Sequence, residues 1–188
     1  MADHNFDVVI LGGGSGGYAA ALRSAQLGKS VALIEKDKLG GTCLHKGCIP
    51  TKALLHSAEV ADVTKDAAAY GVNAQFQSID MTQVNKYRDG IIDRLFKGLT
   101  GLVSSKSITV VAGEGRLTGP KTVTVNGDTY TGANVVLATG SYSRSLPGLE
   151  IGGRVITSEH ALQLNFVPGK VLVLGGGVIG VEFASIWK

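Results

Sequence analysis

The feature that most limits what this chain can fold into is a glycine run, Gly12-Gly13-Gly14-Ser15-Gly16-Gly17, set between an apolar run, Phe6 to Leu11, and an alanine-rich stretch from Tyr18 to Leu27. The apolar run reads as a strand and the alanine-rich stretch as a helix that Gly28 stops as a C-cap. A second apolar run, Val31-Ala32-Leu33-Ile34, reads as a buried strand ending on Glu35. Together these make a β-α-β unit with glycines 12, 14 and 17 at its first turn. In such a unit Gly12 permits the tight turn, Gly14 lets the backbone approach a pyrophosphate, and Gly17 lets helix and strand pack closely. The helix N-terminus offers unbonded N–H groups and partial positive charge to the phosphates. Glu35, 23 residues after Gly12, can accept hydrogen bonds from both ribose hydroxyls. The competing reading is a glycine-rich turn that binds nothing, and the motif alone does not separate FAD from NAD.

The only two cysteines, Cys43 and Cys48, follow directly in Gly40-Gly41-Thr42-Cys43-Leu44-His45-Lys46-Gly47-Cys48-Ile49-Pro50-Thr51-Lys52. Next to a dinucleotide site, a reversible thiol pair points to redox chemistry. In an ideal helix, residues five apart have Cα atoms roughly 8–9 Å apart, whereas a disulfide wants about 4.4–6.8 Å. A bridge therefore needs distorted helix geometry, which Gly47 and Pro50 would permit or impose, and a strained, accessible bridge is the labile sort. Two alternatives stay open at this point, a metal site and two inert thiols. Two cysteines spaced by four, with only His45 and His56 nearby, make a poor zinc site, so no metal is expected.

The 188 residues suffice for a buried core, and the 27 glycines lie among Val, Ile, Leu and Ala, as in an α/β nucleotide-binding protein. A net charge of +3 without a Lys/Arg cluster gives nucleic acid no electrostatic footprint. The polar, acidic N-terminus lacks a basic leader, and the apolar run behind it is too short for a signal peptide or membrane span, so a cytoplasmic location without membrane attachment is expected. There a lone cysteine pair is more often catalytic or metal-binding than a structural staple.

Beyond the cysteines, helical spacing predicts helices over Lys52 to about Ala69 and over roughly Thr82 to Ser104, the latter with Ile91, Ile92, Leu95, Leu99 and Leu102 in phase. Alternation at Ile108 to Ala112, Val123 and Val125, with Asn126-Gly127 as a hairpin turn, predicts a small antiparallel meander. Val135-Val136-Leu137 reads as a further buried strand closed by Ala138-Thr139-Gly140-Ser141. Pro147 to Gly153 reads as a connector. After it, Lys170 to Leu174 is expected to be a strand, Gly175, Gly177 and Gly180 a second Gly-x-Gly-x-x-Gly turn, and Val181 to Trp187 the opening of a helix. Half a β-α-β unit at this end suggests an N-terminal portion of something longer.

The Gly-Gly-Thr-Cys-x4-Cys-Ile-Pro-Thr-Lys segment after this β-α-β unit resembles the flavin-dependent pyridine nucleotide-disulfide oxidoreductases, most of all their dihydrolipoyl dehydrogenase branch. The resemblance runs through the Ala138 to Ser141 segment to the second glycine motif. It implies an α/β architecture: a Rossmann-like FAD-binding domain of three-layer ββα/βαβ character with the meander (1–149), then the beginning of a Rossmann-like NAD(P)-binding domain (150–188). It implies Cys48 as the flavin-proximal thiol, whose thiolate forms a charge-transfer pair with oxidised FAD, and Cys43 as the interchange thiol that bonds to substrate. It also implies Lys52 near the reactive flavin edge, paired with Glu182 from the following domain. FAD contacts are implied at Gly12, Gly14, Gly17, Glu35, Gly41, Thr42, Lys52, Gly115, Thr139, Gly140 and Ser141, and NAD contacts at Gly175, Gly177 and Gly180.

The activity implied for the complete protein is oxidation of protein-bound dihydrolipoamide with NAD⁺, as a cytoplasmic homodimer. It would serve the lipoyl domains of 2-oxo acid dehydrogenase complexes or of a glycine cleavage system. The catalytic base of such proteins is a His–Glu pair from a C-terminal interface domain of the partner subunit, and His4, His45, His56 and His160 do not lie in matching segments. The 188 residues alone are therefore expected to be inactive. A related NADPH-dependent reductase of a glutathione- or mycothiol-type disulfide, and a non-catalytic FAD-binding fragment, are the competing functions. The pattern departs from many relatives at His45-Lys46, where His45 either tunes the thiols or, in the simpler reading, faces solvent.

Overall fold

A computed structural model describes residues 2–188, and its chain divides into two compact units. The first holds the residues up to His45 together with Arg94–Tyr142; the second holds Lys46–Asp93 and Ser143–Lys188.

In the first unit, strands β1 (Asp3–Leu11), β2 (Val31–Glu35), β3 (Ile108–Ala112), β4 (Arg116–Gly119), β5 (Thr122–Val125) and β6 (Asp128–Leu137) form one sheet in the order β3-β2-β1-β6-β5-β4. The four strands from β3 to β6 run parallel, and β6-β5-β4 is the antiparallel meander. Successive side chains of a strand point to opposite faces. Ile10, Val31, Leu33 and Ile108 accordingly form one core with Ala21 of helix α1 (Ser15–Gln26) and Val103 of helix α4 (Met81–Ser104). Val9, Ala32 and Ile34 point the other way and pack against Val123, Val125 and Tyr130 of the meander. Helices, parallel sheet and meander are the three expected layers.

Two expectations change here. Ile108–Ala112 belongs to the parallel sheet, where it pairs with β2, and not to the meander. Its side chains beyond the buried Ile108 are mostly exposed, as at a sheet edge, and which strand it meets is decided by β2, far away in sequence. Val135–Leu137 is the end of the ten-residue strand β6, which pairs with β5 in its first half and with β1 along its length, and Leu137 is 60% exposed rather than buried. The Asn126-Gly127 turn forms as expected, with φ of 52° and 91°. These positive angles suit a two-residue hairpin.

In the second unit, α3 (Cys48–Lys65) is followed by a 3₁₀ turn (Ala67–Tyr70) and the first half of α4. Leu54, Ala161 and Leu162 bury Phe183 of α6 (Val178–Ile186), with Val84, Ile186 and Trp187 packed around them. A short helix α5 (Ser158–Ala161) starts with a capping box between Thr157 and His160. Lys170–Leu174 is not a strand: its residues lie outside any ladder, because a β-strand needs a neighbour for its N–H and C=O groups and the described residues supply none. No helix among the described residues is long and apolar enough to cross a membrane.

Candidate functional site

The first glycine turn lies at the C-terminal edge of the parallel sheet. Gly12 N–H donates to Ile34 O at 2.8 Å, Ala138 N–H to Leu11 O at 2.8 Å, and Gly113 N–H to Glu35 O at 2.9 Å. These bonds hold the ends of β1, β2 and β6 level, which is where ligands sit in open α/β sheets. Gly12 has φ +104°, and a Cβ there would lie 2.2 Å from Ala138 O. A Cβ on Gly17 would lie 1.8 Å from Gly12 O, so helix and turn touch backbone to backbone. Gly14 differs, since a Cβ there would meet nothing closer than Gly41 Cα at 3.8 Å. The protein fills the space over Gly12 and Gly17 and leaves it open over Gly14.

Gly14 is the N-cap of α1, without a side-chain cap and without an acidic residue in the first turn. The N–H groups of Ser15, Gly16 and Gly17 therefore have no intrahelical acceptor and sit at the positive end of a twelve-residue helix. An open cradle with unbonded donors fits a pyrophosphate. Glu35 braces it: Oε2 accepts from Gly13 N–H at 2.6 Å and Oε1 from Asp37 N–H at 2.8 Å. A carboxylate has about four lone-pair sites, so two such bonds leave room for ribose hydroxyls.

Gly40 N–H donates to Gly13 O at 2.9 Å, which carries the chain beside the turn and into helix α2 (Gly41–His45). Gly40 and Gly41 both have positive φ, +109° and +58°, and a Cβ on Gly41 would lie 2.6 Å from Gly14 Cα. Gly41 and Thr42 are thus placed at the cradle by the turn itself. Thr139, Gly140 and Ser141 follow β6 at the same sheet edge and are exposed. At Gly115, a Cβ would lie 2.5 Å from Leu11 Cδ1 and 2.9 Å from Ile34 Cγ2, so packing alone already demands a glycine there.

Cys43 and Cys48 are joined in a disulfide. The required distortion is a complete break: α2 ends at His45 and α3 begins at Cys48, with the Gly47 backbone at φ −151°, ψ −110°, outside the helical region. Pro50 does not distort the helix. It sits in the first turn of α3, where its missing N–H costs no intrahelical bond, and it is fully buried. Thr51 closes that turn, its N–H and hydroxyl donating to Gly47 O at 3.0 and 2.6 Å.

His45 does not simply face solvent. Its Nε2 lies 2.8 Å from Leu39 O, and its ring meets Phe96 edge-on at 5.3 Å between centroids. Sequence reasoning had no signal for this, because the ring partner lies 51 residues further along. The other three histidines also have structural partners: His4 stacks on Tyr130, His56 pairs with Glu59, and His160 caps α5. Among the described residues no three His, Cys, Asp or Glu side chains form a metal-binding group.

In the second unit, Lys52 on α3 forms an ion pair with Glu182 on α6, as expected. Glu182 is only 20% exposed, while the Lys52 side chain is 58% exposed. The second glycine turn repeats the first. Gly175 has φ +106°, Gly177 is the helix N-cap with φ −73°, ψ 176°, against −69°, −172° at Gly14, and a Cβ on Gly180 would lie 2.1 Å from Gly175 O.

A phosphate-type turn on a parallel sheet, followed in the chain by a disulfide, defines a Rossmann-like nucleotide-binding protein with a redox-capable pair. Residues 6–188 match the pyridine nucleotide-disulphide oxidoreductase family, and the chain belongs to that family. It is 47% identical over 195 residues to a dihydrolipoyl dehydrogenase of Bacillus subtilis (strain 168), covering 96% of this chain and 41% of that protein. It is 39% identical to a dihydrolipoyl dehydrogenase of Thermus scotoductus, covering 97% of this chain and 40% of that protein. Among solved structures it resembles the Cu(II) complex of the HOCl-induced flavoprotein disulfide reductase RclA from Escherichia coli, with a TM-score of 0.78, 28% identity, and coverage of 98% of this chain and 40% of that one. The chain spans about 40% of the length of the curated relatives it matches.

Proposed function

We propose that the complete protein oxidises protein-bound dihydrolipoamide to lipoamide through the Cys43–Cys48 disulfide and FAD, with NAD⁺ as final acceptor. The observation that carries this reading is the disulfide placed across a helix break immediately after a brace-and-cradle turn suited to a dinucleotide pyrophosphate. The 47% identity to a dihydrolipoyl dehydrogenase supports the choice of substrate.

Gly12, Gly14, Gly17, Glu35, Gly41, Thr42, Gly115 and Thr139 to Ser141 would hold FAD, and Lys52 would lie at its reactive edge. FAD bound there would supply a two-electron acceptor able to pass hydride to NAD⁺. The protein's own sulfurs perform the exchange. A substrate thiolate attacks Cys43 Sγ, the Cys43–Cys48 bond breaks, and Cys48 leaves as a thiolate. The second substrate thiol, once deprotonated, attacks the substrate sulfur of the mixed disulfide; Cys43 is displaced and lipoamide closes its ring. Two electrons then rest on the Cys43/Cys48 pair. Glu182 pairs with Lys52 and would orient it, and the Gly175, Gly177 and Gly180 turn would take the pyrophosphate of NAD⁺. We place the boundary between the two nucleotide-binding domains near residue 150, and assign the complete protein to a cytoplasmic homodimer that docks lipoyl domains.

The test is dihydrolipoamide-dependent NAD⁺ reduction by the complete protein, which Cys43→Ser and Cys48→Ser should each abolish. Cys43→Ser should keep the thiolate–flavin absorption band and Cys48→Ser should lose it. The opposite pattern reverses the two cysteine roles. Full activity with a glutathione- or mycothiol-type disulfide and NADPH, and none with dihydrolipoamide, overturns the substrate assignment.

A further inference from the structure

Reduction of the Cys43–Cys48 bond removes the covalent tie between α2 and α3. A helix of five residues has no stability of its own, so α2 is then held by its contacts, among them the Gly40 N–H bond to Gly13 O and the buried Leu44. Gly40 and Gly41 precede it with positive φ, and glycines are the residues that lose most freedom on ordering. At the far end of the helix His45 adds a further tie, reaching back over both glycines to the Leu39 carbonyl while its ring rests on Phe96. Leu39 is itself buried, 7% exposed, in the core beneath the sheet, so the anchor is fixed. The neighbouring Lys46–Glu159 ion pair is 2.8 Å long but nearly half exposed on both sides, and exposed pairs contribute little.

We propose that His45 is the positioning residue that keeps Cys43 poised in the dithiol state, so that the disulfide re-forms readily. The inference rests on the reading of Cys43–Cys48 as a cycling redox pair. In the oxidised chain the disulfide restrains α2 together with the His45 contact; in the dithiol the His45 contact is one of the ties that remain. Removing it lowers the effective concentration of one thiol at the other and shifts the equilibrium toward dithiol. A single net hydrogen bond corresponds to roughly a three- to tenfold change in that equilibrium, which is about 15–30 mV for a two-electron couple.

The experiment is equilibration of the full chain in graded dithiothreitol buffers, acid quenching and thiol alkylation, read by mass. Wild type should pass between zero and two free thiols in one step. His45→Leu should have a midpoint about 15–30 mV less negative, and His45→Gln, whose amide N–H can reach Leu39 O but which lacks the ring, should shift by clearly less than His45→Leu. Phe96→Leu gives the same direction by loosening the ring contact, and it stands in if His45→Leu does not fold. An unchanged midpoint in His45→Leu, or in Phe96→Leu in its place, overturns the inference, as does an equal shift in His45→Gln. A wild-type chain whose disulfide cannot be titrated without unfolding overturns the redox reading itself.

Discussion

Gly17→Ala tests whether the turn is held together by backbone contact. The new Cβ would lie 1.8 Å from Gly12 O, while an ordinary contact is about 3.5 Å. The start of α1 must therefore retreat by roughly 1.5 Å, and the obstacle is backbone that no rotamer change can clear. Overpacking usually costs about 1–3 kcal/mol, and opening the 2.9 Å bond from Tyr18 N–H to Gly14 O adds about 1 kcal/mol. Alanine's better helix propensity returns up to about 1 kcal/mol. The net expectation is a loss of about 2–3 kcal/mol, or roughly 5–10 °C in Tm. Gly90→Ala is the matched control: it lies inside α4 with nothing within 4 Å of its would-be Cβ, so it should gain about 0.5–1 kcal/mol. Urea unfolding followed by far-ultraviolet circular dichroism reads both. A Gly17→Ala chain within about 1 kcal/mol of wild type, or Gly90→Ala destabilised like it, would refute the steric argument.

The bracing role of Glu35 predicts that Glu35→Gln, which keeps one acceptor for two N–H groups, lowers stability by about 1–2 kcal/mol in the same assay. Glu182→Gln should change stability by about 1 kcal/mol or less, because Lys52 is largely solvated, and that change should shrink further in 1 M salt. Asp7 accepts from the Ser30 backbone N–H at 2.8 Å and from its hydroxyl at 2.9 Å. The backbone bond first, then the hydroxyl, and lastly the charge of Lys29 hold its carboxyl below the ordinary range against a smaller opposing effect of burial. A depressed carboxyl stabilises the fold fully above the unfolded value of about 4 and loses that contribution as pH falls through the folded value. Carbon-detected NMR titration should therefore show Asp7 titrating below the ordinary range, and Ser30→Ala should raise it part of the way, since the backbone donor remains.

Much of the first unit was legible because its signals are local. Glycine spacing, two apolar strands, the second ending on Glu35, and the Asn126-Gly127 hairpin each depend on a few neighbouring residues, and each formed as read. The helix break between Cys43 and Cys48 was legible from arithmetic, because rise per residue forbids a bridge within an ideal helix. What escaped was non-local. The pairing of β3 with β2 is fixed by the sheet and not by the Ile108–Ala112 alternation. Val135–Leu137 read as a strand of its own because the pairing that unites it with Asp128–Asn134, to β1 along its length, is remote in sequence. Lys170–Leu174 has strand composition but no ladder, and composition alone cannot supply one. His45 depends on Phe96, and no pattern in the cysteine segment announces that ring.

The central claim is that Cys43 and Cys48 form a pair that opens and closes in the folded chain. Counting alkylatable thiols in the native chain before and after dihydrolipoamide, and again after excess lipoamide, tests it most directly. Zero thiols should be found, then two appearing together, then zero, with circular dichroism unchanged throughout. Thiols that appear only after unfolding, or one without the other, would contradict it.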